Sequence, residues 1–414
     1  MKAEIRKRPA FAFLPAVLLA CFSLSTASPA PPAALVRLPY LQNVQSDRAS
    51  VLWTTDQPGT GSVVYSDGRS SKTAPAQVQA FPPEQTHLGT AFYQYRADLT
   101  GLAPGTTYNY AVTVDGQTLF PASSPSGAAS FTTAGPGRFC FLVFGDSGAG
   151  TPEQAKLAQW MTAESGVNFV LHTGDLAYEE GTFDQFETRY FAVYARLMQR
   201  VAFFPTPGNH EYITDAAAPY LAVHALPDSP VPAADKGRYY SFDWSDAHFV
   251  SLDSNLLGTA SESGMLAWME HDLEQTARIW RIVYFHHAPY PSGHHLDDPI
   301  CQRAREVVVP IAERHGAQLV LAGHEHSYQR LAPLAGGVPA VSGLGTTYII
   351  SGGGGGALQD IGHLPATVVA LDIYHYLRAD VETNQLTIRA IGLDGKEFDR
   401  VTIGPRRPPR TSGR

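Results

Sequence analysis

The sequence predicts a mature chain in two parts, an all-β sandwich followed by a layered α/β domain. Three observations carry that expectation. A Gly/Pro linker, Ala134-Gly135-Pro136-Gly137, divides the chain; before it, short β-rich runs are spaced by turn residues; after it, apolar strands alternate with helical segments. Histidine follows the same divide, since 14 of the 15 lie after the linker. The chemistry is therefore expected in the second part. A length of 414 residues at roughly 100 to 200 per domain suggests two or three domains. A charged content of only 16 %, with Gly 37, Pro 31, Tyr 19 and Phe 20, excludes a coiled coil or a disordered chain.

At the N-terminus, Lys2, Arg6, Lys7 and Arg8 precede an apolar run from Phe11 to Leu24, and Ser25-Thr26-Ala27 supplies small residues for cleavage. Residues 1–27 read as an export signal, with the mature chain beginning near Ser28. The run is short for a membrane span, which needs about 20 residues, and no comparable run follows. Leu18-Leu19-Ala20-Cys21 offers a second outcome, a lipoprotein box in which Cys21 is acylated. The expected destination is secretion or the periplasm, with a lipid anchor at Cys21 as the variant. Removing the segment's net +3 from the formal charge of −8 leaves −11, which argues against an extended nucleic-acid surface. Cys140 and Cys301 then remain, and they are expected as buried free thiols.

Residues 34–133 hold the runs Ala49–Thr55, Gly61–Tyr65 and Tyr108–Val112, the pattern of a sandwich. Leu102-Ala103-Pro104-Gly105-Thr106-Thr107-Tyr108 resembles the turn before a late strand of fibronectin type III domains, where a tyrosine hydroxyl bonds back to nearby backbone. Trp53 is expected in the core. No set of carboxylates, histidines or nucleophiles gathers here, so this part reads as a scaffold or spacer.

Residues 138–404 form the expected α/β domain. Thr151 as N-cap, Pro152 at the first helical position and Gln154 three residues after the cap begin a helix through Met161, so Phe139 to Val170 reads strand, helix, strand. Gly352 to Gly356 reads as a flexible loop that lets backbone approach another element. Five apolar strands end in polar residues: Phe139–Phe144 in Gly145-Asp146, Asn168–His172 in Gly174-Asp175 and Tyr178, Phe203–Pro205 in Gly208-Asn209-His210-Glu211, Ile282–Phe285 in His286-His287, and Leu319–Ala322 in Gly323-His324-Glu325-His326. Ligands bind beyond the carboxyl ends of strands in open α/β sheets, so these groups should converge. An Asp at a turn is more often a cap than a ligand, but five such endings are not explained by turn chemistry. Carboxylates and a phenolate suit a hard trivalent ion, imidazoles suit a divalent one, and a carboxylate between them can bridge. The preceding glycines are expected to let the chain turn sharply.

Gly-Asp-x-Gly, Gly-Asp-x-x-Tyr, Gly-Asn-His-Glu, Val-x-x-His and Gly-His-x-His, in this order, resemble the five blocks of purple acid phosphatases, which are calcineurin-like metallophosphoesterases. The resemblance implies a four-layer α/β (α+β) sandwich, two mixed sheets flanked by helices, preceded by a fibronectin-like domain. It implies that Asp175 bridges two ions, that Asp146, Tyr178 and His326 complete an Fe(III) site, and that Asn209, His286 and His324 complete a divalent site for Fe, Zn or Mn. Adjacent His286 and His287 point to opposite sides of a strand, and the block spacing favours His286. A histidine acting beside the ions is implied at His294 or His295, with His295 preferred, and His210 is a second candidate acid. Glu179, Glu180 and Glu211 sit beside the implied ligands and read at least as well as an exposed acidic rim as in a catalytic role. Tyr328 and Arg330 read as loop supports or substrate contacts, with support preferred. His172, His248, His271, His315 and His375 read as structural or surface residues, and Arg406-Arg407-Pro408-Pro409-Arg410 as a terminal tail.

The expected function is hydrolysis of small-molecule phosphate monoesters by an exported dimetal acid phosphatase, in which paired cations acidify water for attack on phosphorus. The alternatives are a phosphodiesterase or nucleotidase on the same site, and a cell-surface binding module built on the β domain. Oligomeric state and the natural substrate are left open.

Overall fold

The computed structural model describes residues 32–121, 129–341 and 344–406. The first part is a sandwich of strands Leu35–Gln42 (β1), Arg48–Thr55 (β2), Gly61–Ser66 (β3), Ser71–Pro75 (β4), Gln77–Phe81 (β5), Phe92–Thr100 (β6), Thr107–Val114 (β7), Gln117–Phe120 (β8) and Ala129–Thr132 (β9). One sheet has the order β1-β2-β6-β5 and the other β4-β3-β7-β8, with β9 also on β7. Strand alternation sets the faces: along β3, Gly61, Val63 and Tyr65 are buried while Ser62, Val64 and Ser66 are half-exposed. Trp53 is fully buried and stacks on Tyr95 at 5.0 Å between ring centroids. The Tyr108 hydroxyl accepts from the Ala103 N–H at 2.9 Å, the back-bond that the turn sequence implied.

The sandwich is docked rather than tethered. The Arg37 guanidinium of β1 pairs with Glu187 and lies 3.9 Å from the centre of the Phe191 ring. Tyr40 donates to the Val223 carbonyl at 2.7 Å, Gln94 to the Ala222 carbonyl at 2.8 Å, and Tyr110 to the Gln199 carbonyl at 2.9 Å. A scaffold role is compatible with this packing, whereas a loose spacer is not.

The second part continues with Phe139–Phe144 (β10), Phe169–His172 (β11), Ala202–Pro205 (β12), Tyr240–Trp244 (β13), Ala247–Ser251 (β14), Trp280–His287 (β15), Leu319–Gly323 (β16), Tyr328–Leu331 (β17), the short pair Leu334–Ala335 (β18) and Val338–Pro339 (β19), Thr347–Ser351 (β20), Thr367–Leu371 (β21), His375–Glu382 (β22), Gln385–Gly392 (β23) and Glu397–Ile403 (β24). They form two mixed sheets, β12-β11-β10-β22-β23-β24 and β13-β14-β15-β16-β20-β17-β21. The block-bearing strands are parallel within each sheet, β10 to β11 to β12 and β15 to β16, so their carboxyl ends emerge on one side. Aromatic rings glue the sheets face to face: Phe204 stacks on Phe242 at 3.9 Å, and Phe141 and Phe169 meet Phe249 at 5.3 and 5.2 Å.

Helices cover both outer faces. Pro152–Ala163 (α1) and Ala192–Met198 (α2) lie on the first sheet, where Tyr194 meets Phe144 at 5.2 Å. Glu262–Gln275 (α3) and Pro299–Arg314 (α4) cover the second, packing Met269 and Val308 into one cluster with Val250, Val283 and Val320. The result is four layers. Helix α1 opens as expected, with the Thr151 hydroxyl accepting from the Gln154 N–H, but it runs on to Ala163, and the Gln154 carboxamide turns instead to the Gly150 N–H at 2.8 Å.

Two expectations are corrected by packing. Gly352 to Gly356 is wholly buried, pinned by Gly354 N–H to the Gly145 carbonyl at 3.0 Å and Gly356 N–H to the Asp146 carbonyl at 2.7 Å. A Cβ on Gly352 would strike the Glu325 carbonyl, so close approach demands glycine here and the loop is not flexible. Tyr328 and Arg330 do act as supports, but on β24, where both bond Asp399 at 2.6 Å. Cys140 and Cys301 are buried and free. Among the described residues no helix is long and apolar enough to cross a membrane. The export segment, Cys21 and most of the basic tail lie outside the described residues.

Candidate metal centre

The five strand ends meet where the carboxyl edges of the two sheets face each other. β10, β11 and β12 of the first sheet deliver Asp146, Asp175 with Tyr178, and Asn209 with His210; β15 and β16 of the second deliver His286, His287, His324 and His326. The sharp turns fall on the candidate ligands themselves: Asp146, Asp175 and His324 hold positive φ of 57°, 56° and 71°. Non-glycine residues in that region carry strain that the surrounding fold must impose, a frequent property of functional sites. Three of the preceding glycines serve close approach rather than turning. A Cβ on Gly145, Gly208 or Gly323 would run into Thr173, Asp175 or Asp146 respectively.

The donor atoms sort into two halves that share Asp175. In one, carboxylate oxygens of Asp146 and Asp175 and a His326 nitrogen lie within 4.8 Å of one another. The Tyr178 hydroxyl joins them, 3.4 Å from Asp146 Oδ1 and 3.0 Å from His326 Nε2. In the other, His286 Nε2 lies 2.9 Å from Asn209 Oδ1, 3.5 Å from Asp175 Oδ2 and 3.2 Å from His324 Nδ1. His286 Nδ1–H donates to the Thr173 carbonyl at 2.9 Å, which leaves its Nε2 lone pair for that half. His287 faces away from Asp175: its Nδ1 bonds the Ser254 hydroxyl at 2.8 Å, and it forms a separate trio with Asp298 and His324.

Electrostatics favours cations here. Asp146 and Asp175 are buried, and among the described residues neither pairs with a lysine or arginine, only with histidines. Burial, then the Asp175 charge, pushes the Asp146 carboxyl well up. Burial pushes His286 down to about 3, so it is a neutral imidazole ready to donate a lone pair. Burial and the same two carboxylates push the Tyr178 phenol well up, a shift that a nearby cation would oppose. Buried carboxylates that meet no lysine or arginine among the described residues, beside imidazoles, an amide oxygen and a phenol, fit a pair of metal ions.

Glu211 is not part of an exposed rim. Its carboxylate is fully buried and accepts the N–H groups of Asp175 at 2.9 Å, Leu176 at 2.8 Å, Ala177 at 3.1 Å and Gly208 at 2.7 Å. It thereby fixes the turn that carries Asp175. Glu179 and Glu180 are exposed, in keeping with a rim.

Three histidines surround the donors. His210 donates Nδ1–H to the Glu179 carbonyl at 2.5 Å, and its Nε2 sits 3.9 Å from Asp175 Oδ2. His295 is gripped by buried Glu325, whose Oε2 accepts both the His295 backbone N–H at 3.0 Å and its Nδ1–H at 3.1 Å, and its ring lies 3.8 Å from that of His324. His294 is exposed, its ring 4.8 Å from that of His295 between centroids. Glu325 and Asp298 were not singled out as functional from sequence. The only available signal was Glu325 standing between two candidate ligands in Gly-His-Glu-His.

Comparison with known proteins agrees with this geometry. Residues 140–328 match the calcineurin-like phosphoesterase family, and residues 36–133 match the purple acid phosphatase N-terminal domain. The chain is 28 % identical over 344 residues to human (Homo sapiens) acid phosphatase type 7, covering 74 % of each chain. It is 26 % identical over 221 residues to purple acid phosphatase 17 of Arabidopsis thaliana, covering 47 % of this chain and 64 % of that one. The fold superimposes on the purple acid phosphatase PPD1 of yellow lupin (Lupinus luteus) seeds with a TM-score of 0.77 at 17 % identity, over 90 % of this chain and 74 % of that one. Fold and site together define a calcineurin-like metallophosphoesterase, a family of phosphoester hydrolases with a dimetal centre. Ahead of it stands a domain of the purple acid phosphatase N-terminal type, and the similar proteins named above are acid phosphatases.

Proposed function

We propose that the chain is an exported acid phosphatase that hydrolyses small phosphate monoesters, with residues 1–27 as export signal, 34–133 as docked scaffold and 138–404 as catalytic domain. The observation that carries the reading is the pair of buried, uncompensated carboxylates Asp146 and Asp175 inside a donor set that includes Tyr178. Asp146, Tyr178 and His326 would hold Fe(III); Asn209, His286 and His324 would hold a divalent Fe, Zn or Mn ion; Asp175 would serve both. When bound, such a pair supplies Lewis-acid polarisation of phosphoryl oxygens and an acidified water. The protein's own part is orientation and proton transfer. With Nδ1–H committed to Glu179, His210 can present only Nε2 toward phosphate or leaving group. His295, whose Nδ1–H is held by Glu325, presents Nε2 outward, and as the imidazolium paired with that carboxylate it would carry on Nε2 the proton that the departing alkoxide needs, which favours it over exposed His294.

A phosphodiesterase or nucleotidase would use the same donors and differ in cleft shape, while a binding module leaves the donor set unexplained. Side-by-side rates on an aryl phosphate monoester and the matching diester at mildly acidic pH test the reading. A faster monoester supports it; a faster diester moves the substrate class.

A further inference from the structure

His324 is the one proposed ligand whose second ring nitrogen meets a carboxylate. Its Nδ1 faces His286 Nε2 at 3.2 Å, on the side of the second ion, while its Nε2 lies 3.2 Å from Asp298 Oδ2. A neutral imidazole has one N–H and one lone pair, so donating Nε2–H to Asp298 obliges Nδ1 to carry the lone pair. The other Asp298 oxygen is committed too: Oδ1 accepts the N–H groups of Ile300 at 2.7 Å and Cys301 at 3.2 Å, capping α4. The 16-residue helix thus anchors the carboxylate from behind.

Resting on the dimetal reading, we propose that Asp298 is a positioning residue that fixes the tautomer and ring orientation of His324 for the divalent ion. The arrangement is crossed. Asp298, from the loop after β15, orients His324 after β16, while Glu325, from the loop after β16, orients His295 after β15, and the two imidazoles lie 3.8 Å apart between ring centroids. Each loop holds a ring of the other, so neither can swing without releasing its partner. Carboxylate partners of ligating histidines both orient the ring and raise its basicity, and their loss costs about 10- to 100-fold in metal affinity. The same three side chains, His287, Asp298 and His324, could in principle ligate a further cation. The direct hydrogen-bond distance between Asp298 and His324 favours orientation, because a cation there would require the His324 ring to give up both protons.

The test is zinc titrated calorimetrically into the full chain carrying one equivalent of Fe(III), for wild type, Asp298→Asn and Asp298→Ala, with Fe(III)–tyrosinate absorption followed in parallel. Asn leaves a competent helix cap, so the variant separates capping from orientation, and it stands alone if the Ala variant does not fold. The expected result is zinc binding weakened about 10- to 100-fold, with the Fe(III)–tyrosinate absorption unchanged. Wild-type zinc affinity in Asp298→Asn overturns the proposal. So does a further zinc equivalent in wild type that His287→Ala abolishes, which would make Asp298 a ligand. A wild-type chain that takes no zinc beside Fe(III) removes the dimetal reading itself, a result distinct from both.

Discussion

The docking face of the sandwich and the strand ends of the second part both bury charge, and they treat it in opposite ways. Where the sandwich docks, Arg37 is enclosed against Glu187, Tyr40, Gln94 and the Phe191 ring, so its charge is met by protein. At the strand ends, Asp146 and Asp175 are as deeply buried, yet none of the groups around them is a fixed cation. A buried carboxylate without a counter-charge is costly unless it neutralises or gathers hydrogen-bond donors, as Glu211 does with four backbone N–H groups; Asp146 and Asp175 instead face one another among imidazoles and a phenol. Satisfied buried charge holds domains together, and unsatisfied buried charge marks where a ligand of opposite sign belongs.

Substitutions should separate the two behaviours, in descending order of effect. Asp175→Ala removes the carboxylate common to both halves and should abolish bound metal and hydrolysis together, as read by elemental analysis and aryl phosphate turnover. His210→Ala should keep its metal and lose about 10²- to 10⁴-fold in turnover, the usual range for a proton-transfer group. Equal metal content in the Asp175 and His210 variants would contradict the division of roles. Arg37→Ala leaves Glu187 without its partner and should cost about 3 kcal/mol in denaturant unfolding, with metal content preserved in the folded fraction. A change in metal stoichiometry there would mean that the docking interface and the centre are not independent.

The smallest effect concerns His248, a third kind of buried charge. It sits 2.8 Å from both Asp243 and Asp272; burial alone would lower its pKa, but those two contacts outweigh it and hold the imidazole up at about 9. Because the folded value exceeds the unfolded one near 6.5, its stabilisation is fully present below about pH 6.5 and is lost as pH rises through about 9. His248→Gln should therefore be less stable than wild type at pH 6, and the gap should close by pH 10, as measured by thermal melts across that range.

Much of the centre was legible because its grammar is local. A strand and a candidate donor lie close together in each of five segments, with a glycine directly before the donor in four of them, so all five could be read along the chain, as could the Tyr108 turn and the Thr151 cap. What sequence could not supply were partners set by tertiary approach. Glu211 reads as a rim residue until its carboxylate is seen to gather N–H groups some 35 positions away. Gly352 to Gly356 reads as flexible because glycine is locally free, whereas packing against Glu325, Gly145 and Asp146 fixes it. The Arg37 to Glu187 contact spans 150 positions, and the two crossed carboxylate–imidazole pairs join loops separated by a whole helix.

The most direct measurement is the metal content and visible spectrum of the purified full chain beside its Tyr178→Phe variant. Two ions per chain, with an Fe(III)–tyrosinate absorption that vanishes in the variant, is the predicted result. A chain that binds no metal, or one whose absorption survives Tyr178→Phe, would contradict the assignment of the buried carboxylates to a dimetal centre completed by that phenol.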